Sequence, residues 1–173
     1  MDTYQTPDGV IVRPFRSNED DIEALTNLLH RAYRPLAEQG FRYLATHQSP
    51  EVTRERLEKG QGFIAWDRGT PVATITYYGP EVPKEGNWYQ QSGVGVVGQF
   101  GVHPDFQSRG LGSFLLAIVE QVAREQGVAE LALDTSEGAA HLLAFYEQRG
   151  YRFIEYADWD VTNYQSVVLS KTL

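Results

Sequence analysis

The chain has 173 residues, a formal net charge of −8 and no cysteine. That length suits one domain, residues 1–173, with a core large enough to fold without disulfides or metal. The missing cysteine excludes a disulfide scaffold, a thiolate metal site and a cysteine nucleophile, and the acidic balance argues against nucleic acid as a partner.

Residues 10–16 are rich in β-branched side chains and read as a first strand. Ser17 offers an N-cap, with Glu19, Asp20 and Asp21 in the following turn to complement a helix dipole. Ile22, Leu25, Leu28, Leu29 and Ala32 then recur at helical spacing, which predicts a helix that Pro35 ends after Arg34. The segment 35–48 fits either a short helix or an ordered loop. Ser49 and Pro50 open another helix that stops near Gly60. Residues 63–66 and 72–78 read as a hairpin around the turn formers Asp67, Gly69 and Pro71. A loop over 79–93 leads to a strand over 94–102 that is interrupted by glycines. The clearest helix is 110–126, with Leu111, Leu115, Ile118 and Val122 on its core face and Gly127 at its C-terminal end. A strand at 131–133, a helix over 138–149 ended by Gly150, and strands at 151–156 and 166–172 complete the chain. The expected class is α/β (α+β, mixed sheet), in the order β-α-α-β-β-β-α-β-α-β-β.

Chemistry concentrates between residues 96 and 113. Gln107, Ser108, Arg109, Gly110, Leu111, Gly112 and Ser113 connect a strand to a helix N-terminus. The first N–H groups of a helix have no intrahelical partner and the dipole is positive there, so such a loop receives anions. Glycines at 110 and 112 leave room for a diphosphate against the backbone, and Arg109 adds charge. An ordinary capped helix after a glycine turn is the alternative.

The pattern Val102, Pro104, Gln107, Gly110, Gly112 resembles the acyl-CoA-binding signature of the GNAT superfamily of N-acetyltransferases. A second landmark of that family, a helix ending in Tyr-x-x-x-Gly-Phe/Tyr, is similar to Tyr146, Gly150 and Tyr151 here. The resemblance implies a mixed sheet splayed at one end, with the pantetheine arm of acetyl-CoA, the acyl donor, lying in the splay. Phe100, Gly101 and Val102 would then hold the pantetheine through their backbone. The groups of Phe100 and Val102 would also polarise the thioester carbonyl. Tyr146 would protonate the departing CoA thiolate. Read from the residues, the alternative for Tyr146 is a packed aromatic beside Leu142, Leu143 and Phe145. The resemblance also implies direct attack by the acceptor amine, without a covalent enzyme intermediate, and it makes a homodimer an option.

Two family positions differ. The glutamate that often relays the amine proton is replaced by Val96, and an asparagine that usually contacts CoA by Ala139. Asp134 is the first candidate to orient or deprotonate the amine, with a helix N-cap or turn aspartate as its alternative. Glu81, Glu85, Tyr77 and Tyr33 are weaker options. The aromatic segment 159–166 reads as a loop packed on its own side chains, although the resemblance would set it beside the acceptor.

Gly93, Gly95 and Gly98 match a dinucleotide fingerprint, but no helix follows them, so they read as glycine gaps in a strand. The four histidines show no metal-ligand spacing, and no metal is expected. No basic n-region or long apolar run is present, which points to a cytoplasmic protein without a membrane partner. The expected reaction is transfer of an acetyl group to a primary amine, with the acidic balance favouring a small cationic molecule. A CoA-binding sensor without catalysis and an acetyltransferase for a protein amine are the alternatives.

Overall fold

The computed structural model describes residues 2–173; residue 1 of the expected domain lies outside them. Its elements are β1 (Tyr4–Gln5), β2 (Ile11–Pro14), α1 (Ile22–Glu38), α2 (Pro50–Lys59), β3 (Gln61–Asp67), β4 (Thr70–Tyr78) and β5 (Val94–Val102). There follow α3 (Leu111–Glu125), β6 (Glu130–Ser136), α4 (Ala140–Glu147), β7 (Arg152–Ala157) and β8 (Ser166–Thr172). The order agrees with the sequence reading except for β1, a two-residue strand that pairs Tyr4 with Val12.

All strands join one eight-stranded sheet, ordered β1-β2-β3-β4-β5-β6-β8-β7. Every pairing is antiparallel except that of β5 with β6. Alternation along the strands sets the layers. Phe63 belongs to a core shared with Leu111, Leu115, Leu116 and Val119 of α3, while its neighbour Ile64 belongs to a core shared with Ile22, Leu25 and Leu57 of α1 and α2. The sheet is therefore covered on both faces.

Helix α1 differs from its sequence reading at both ends. Asp21, not Ser17, is the N-cap, and its carboxylate accepts from the N–H groups of Glu23 and Ala24. Ser17 is drawn off to Glu58 (2.6 Å), and Asp20 to the guanidinium of Arg13 (2.7 Å). Pro35 lies inside the helix instead of ending it. A proline deletes one intrahelical bond. Here the last turn survives because Gly40, with φ +92, lets the N–H of Gly40 reach the Ala37 carbonyl and that of Phe41 reach Leu36. The following segment is an ordered loop with one 3-10 turn at Leu44–Thr46.

The glycines of β5 make room for the protein's own side chains. A Cβ at Gly95 would come within 2.8 Å of the Tyr77 ring, and one at Gly101 within 3.3 Å of Ala32, Leu29 and Tyr33 on α1. Among the described residues, no helix is long and apolar enough to cross a membrane.

Candidate active site

Strands β5 and β6 pair only at their starts, through Val94–Glu130, Gly95–Leu131 and Val96–Ala132. Beyond that point β5 stays with β4 and β6 stays with β8, so the two part company. The opening is widened by a bulge. Thr74 pairs with Gly101 and Thr76 with Gly98, which leaves one more residue on β5 than on β4, and Gln99 there has φ +47. Gln99 tolerates that conformation because its buried amide is bonded on both sides. Its oxygen accepts from Gln48 (2.8 Å) and its nitrogen donates to the Thr53 carbonyl (3.4 Å).

Two clefts meet at this opening. The first, about 550 Å³, runs past Phe100, Gly101, Val102, Gln107, Ser108, Gly110, Leu111, Gly112 and Ser113. The second, about 450 Å³, lies on the other side of β5 between α2, the 79–93 loop and the 158–165 loop. Tyr33, Tyr43, Phe100, Asp134 and Tyr146 line both.

Anion-binding potential in the first cleft comes from backbone. Among the described residues, no N–H from Ser108 to Ser113 has a hydrogen-bond acceptor. Gly110, at φ +80, holds the N-cap position of α3 without a side-chain cap. A Cβ at Gly112 would meet Phe100, Phe145 and Val102 at 3.6–3.7 Å, so glycine keeps the cleft open there. The carbonyl of Val102 accepts from the Gln107 side chain (3.0 Å), and that of Phe100 from the Tyr33 hydroxyl (2.6 Å). The His103 N–H bonds back to Val72 on β4, so by strand alternation the peptide groups of Val102 face the cleft.

Arg109 points elsewhere: it pairs with Asp8 (2.8 Å) and stacks on Phe106, outside the cleft lining. The cation that lines the cleft is Arg149, which sequence reading missed. Its guanidinium lies 3.6 Å from the centre of the Phe145 ring and donates to Ser113 Oγ (2.8 Å) and to the Phe145 carbonyl (2.6 Å). Its position in the Tyr146–Gly150 landmark was the available signal.

Asp134 lies within β6, paired with Val168, and is neither a helix cap nor a turn residue; the cap position of α4 belongs to Ala139. Tyr89 donates to its Oδ1 (2.5 Å) and Trp159 to its Oδ2 (3.0 Å). Burial pushes its pKa above the ordinary carboxylate value, against the opposing pull of those two hydrogen bonds and the charge of Arg56. Tyr146 is buried as well, and burial, with Tyr33, Tyr43 and Asp134 nearby, raises its phenol well above the usual range. Its hydroxyl has no hydrogen-bond partner among the described residues, and Tyr146 lines both clefts.

The 158–165 loop is not packed on its own aromatics. Trp159 stacks on Tyr89 (6.0 Å between ring centres), and Tyr164 packs at a tilt against Tyr43 (4.7 Å). The Tyr43 hydroxyl in turn bonds to Thr135 (2.8 Å) and accepts from the Ser136 N–H (3.1 Å). Only the full fold brings these segments together, and local sequence carried no signal for it. Glu85 lines the second cleft and Tyr33 lines both, whereas Tyr77 and Glu81 line neither. Val96, buried in the second cleft wall, presents no titratable group.

The family described as Acetyltransferase (GNAT) family matches the chain over residues 22–151. The S-(2-succino)cysteine N-acetyltransferase of Bacillus subtilis is 29% identical over 135 residues, which are 77% of this chain and 79% of that protein. A GNAT family acetyltransferase from Elizabethkingia anophelis with acetyl-CoA bound superposes with a TM-score of 0.65, at 16% identity, over 95% of this chain and 98% of the other. A ribosomal-protein-alanine N-acetyltransferase from Brucella melitensis does so with a TM-score of 0.69, at 20% identity, over 94% and 99%.

Proposed function

The chain belongs to the GNAT acetyltransferase family and is an acetyl-CoA-dependent acyltransferase; we propose that it acetylates the primary amine of a small cationic molecule by direct attack in a ternary complex. The observation that carries this reading is the meeting of two clefts at Asp134 and Tyr146, where β5 and β6 part. One cleft suits the donor and the other the acceptor.

In this proposal the free N–H groups from Ser108 to Ser113 receive the donor's pyrophosphate, with Arg149 beside them. The N–H groups of Phe100 and Val102 face the thioester carbonyl and stabilise the oxyanion that forms on it. Asp134 takes the ammonium by charge and accepts its proton, a task Val96 cannot perform. The amine nitrogen then bonds to the acetyl carbon, the carbon–sulfur bond breaks, the Tyr146 hydroxyl supplies a proton to the thiolate, and the surplus proton on the amide nitrogen leaves to restore that hydroxyl. The chain acts as one catalytic domain, and its lack of cysteine is in keeping with a cytoplasmic setting.

An acceptor cleft walled by Tyr43, Tyr164, Tyr89 and Trp159 supports a small molecule over a protein chain. The B. subtilis relative, whose name gives S-(2-succino)cysteine as acceptor, supports the same choice. The test is initial-rate kinetics of thiol release from acetyl-CoA at varied amine. Intersecting double-reciprocal lines support the ternary complex; parallel lines would mean an acetyl-enzyme and overturn it.

A further inference from the structure

The acceptor cleft holds a cation that makes no ion pair. Arg56, on α2, lines that cleft and is partly buried, yet no carboxylate of the described residues lies within ion-pair distance of it. A partly buried guanidinium that makes no ion pair keeps its charge and planar N–H fork for a ligand's carboxylate. We propose that Arg56 binds a carboxylate of the acceptor, so that the substrate is an amino acid-like molecule with an ammonium at Asp134 and a carboxylate at α2. This rests on the acetyltransferase reading above and narrows its cationic acceptor to one whose ammonium is accompanied by a carboxylate.

Several observations show that the position is built. Arg56 Nη1 donates to Gln48 Oε1 at 2.8 Å. Gln48 is itself buried and donates to Gln99 and Thr53 (2.8 Å each), while His30 bonds to its carbonyl (2.8 Å). One edge of the guanidinium is thereby anchored to the β5 bulge, and the remaining N–H groups stay free for a planar, two-oxygen partner. Gly98 provides the space: a Cβ there would press on the Tyr78 ring at 3.0 Å and stand 3.5 Å from Arg56 Nη2. Lys84 lines the same cleft, partly buried and also without a carboxylate partner, held by the carbonyls of Gly79 (2.6 Å) and Val82 (2.9 Å). The carboxylate of Asp134 feels the charge of Arg56 but makes no ion pair with it, its hydrogen bonds going to Tyr89 and Trp159. In a chain of net charge −8, the acceptor cleft sets Arg56, Lys59 and Lys84 against Asp134 and the exposed Glu85.

The experiment compares the L-amino acids, each with its amide and its decarboxylated amine, as acceptors for the wild type, Arg56→Gln and Arg56→Lys. The expected result is a preference for the acids of at least about tenfold in kcat/KM. Arg56→Gln should remove that preference through KM while leaving the acetyl-CoA KM unchanged, and Arg56→Lys should restore part of it. Calorimetry on CoA-loaded protein with the N-acetyl-amino acids and their amides reads the same preference without turnover. Amides or decarboxylated amines that serve as well as the acids in both assays overturn the proposal, as does a preference that survives Arg56→Gln. Failure of the wild type to bind acetyl-CoA would instead overturn the acyltransferase reading beneath it.

Discussion

Trp159 donates its indole N–H to Oδ2 of Asp134 at 3.0 Å, across 25 residues of chain. With Tyr89 on the other oxygen, the carboxylate is fixed in direction while remaining partly buried. Removing the carboxylate charge tests its role. Asp134→Asn is expected to lower kcat/KM by about 10²- to 10⁴-fold, the range of a lost general base. Trp159→Phe, which frees one oxygen without removing it, should cost much less. Steady-state kinetics on both variants measures the difference.

The raised pKa of Asp134 has consequences of definite sign. In the folded protein the group holds its proton to higher pH than in the unfolded chain, so its contribution to stability falls as pH rises from the unfolded value through the folded one. Asp134→Asn should therefore flatten that part of the stability–pH curve. Asp20 should act oppositely. Burial would raise its pKa, but Arg13 and the Arg16 N–H outweigh burial and lower it, so its stabilisation is present above the unfolded value and lost as pH falls through the folded one. Denaturant melts of Asp134→Asn and Asp20→Asn across the acid range check both signs.

The hydroxyl of Tyr146 touches no partner in the protein, although its ring packs edge-on against Phe145 and Tyr151. Tyr146→Phe should therefore leave stability within about 0.5 kcal/mol of wild type. It should lower kcat by about 10²-fold or more, with the acetyl-CoA KM little changed. A melt and a kinetic comparison on one preparation separate the packing role from the proton-donor role.

The bulge in β5 is held by the Gln48–Gln99–Thr53 network, which joins α1, α2 and the sheet, with Thr26 bonded to Thr53 at 2.7 Å. Gln99→Ala leaves the Gln48 amide buried without that acceptor and is expected to cost about 1–3 kcal/mol in a denaturant melt. Activity should fall with it, because the same bulge sets the backbone of Phe100.

The strand, loop and helix around residues 94–126 were legible in sequence because every signal is local: β-branched residues, glycines at a helix start, then helical periodicity. The same locality made Tyr146 readable at a helix end. Asp134 was named, but its partners were not, since Tyr89 and Trp159 are 45 and 25 residues away and meet it only through the fold. Arg56 gave no sign of function in sequence, where its segment reads only as a helix between Pro50 and Gly60. The end of α1 was not legible from Pro35, because the helix continues past it to Glu38 and is closed by Gly40, whose left-handed backbone satisfies the last carbonyls.

Binding of acetyl-CoA measured by calorimetry, on wild type and on Gly112→Arg, tests the placement of the donor most directly. No positive φ strains residue 112, so the substitution burdens the cleft and not the helix. Saturable binding by wild type, weakened at least about 100-fold in a variant that melts like wild type, is the expected outcome. No binding by wild type, or equal binding by the variant, would contradict a donor site at the N-terminus of α3.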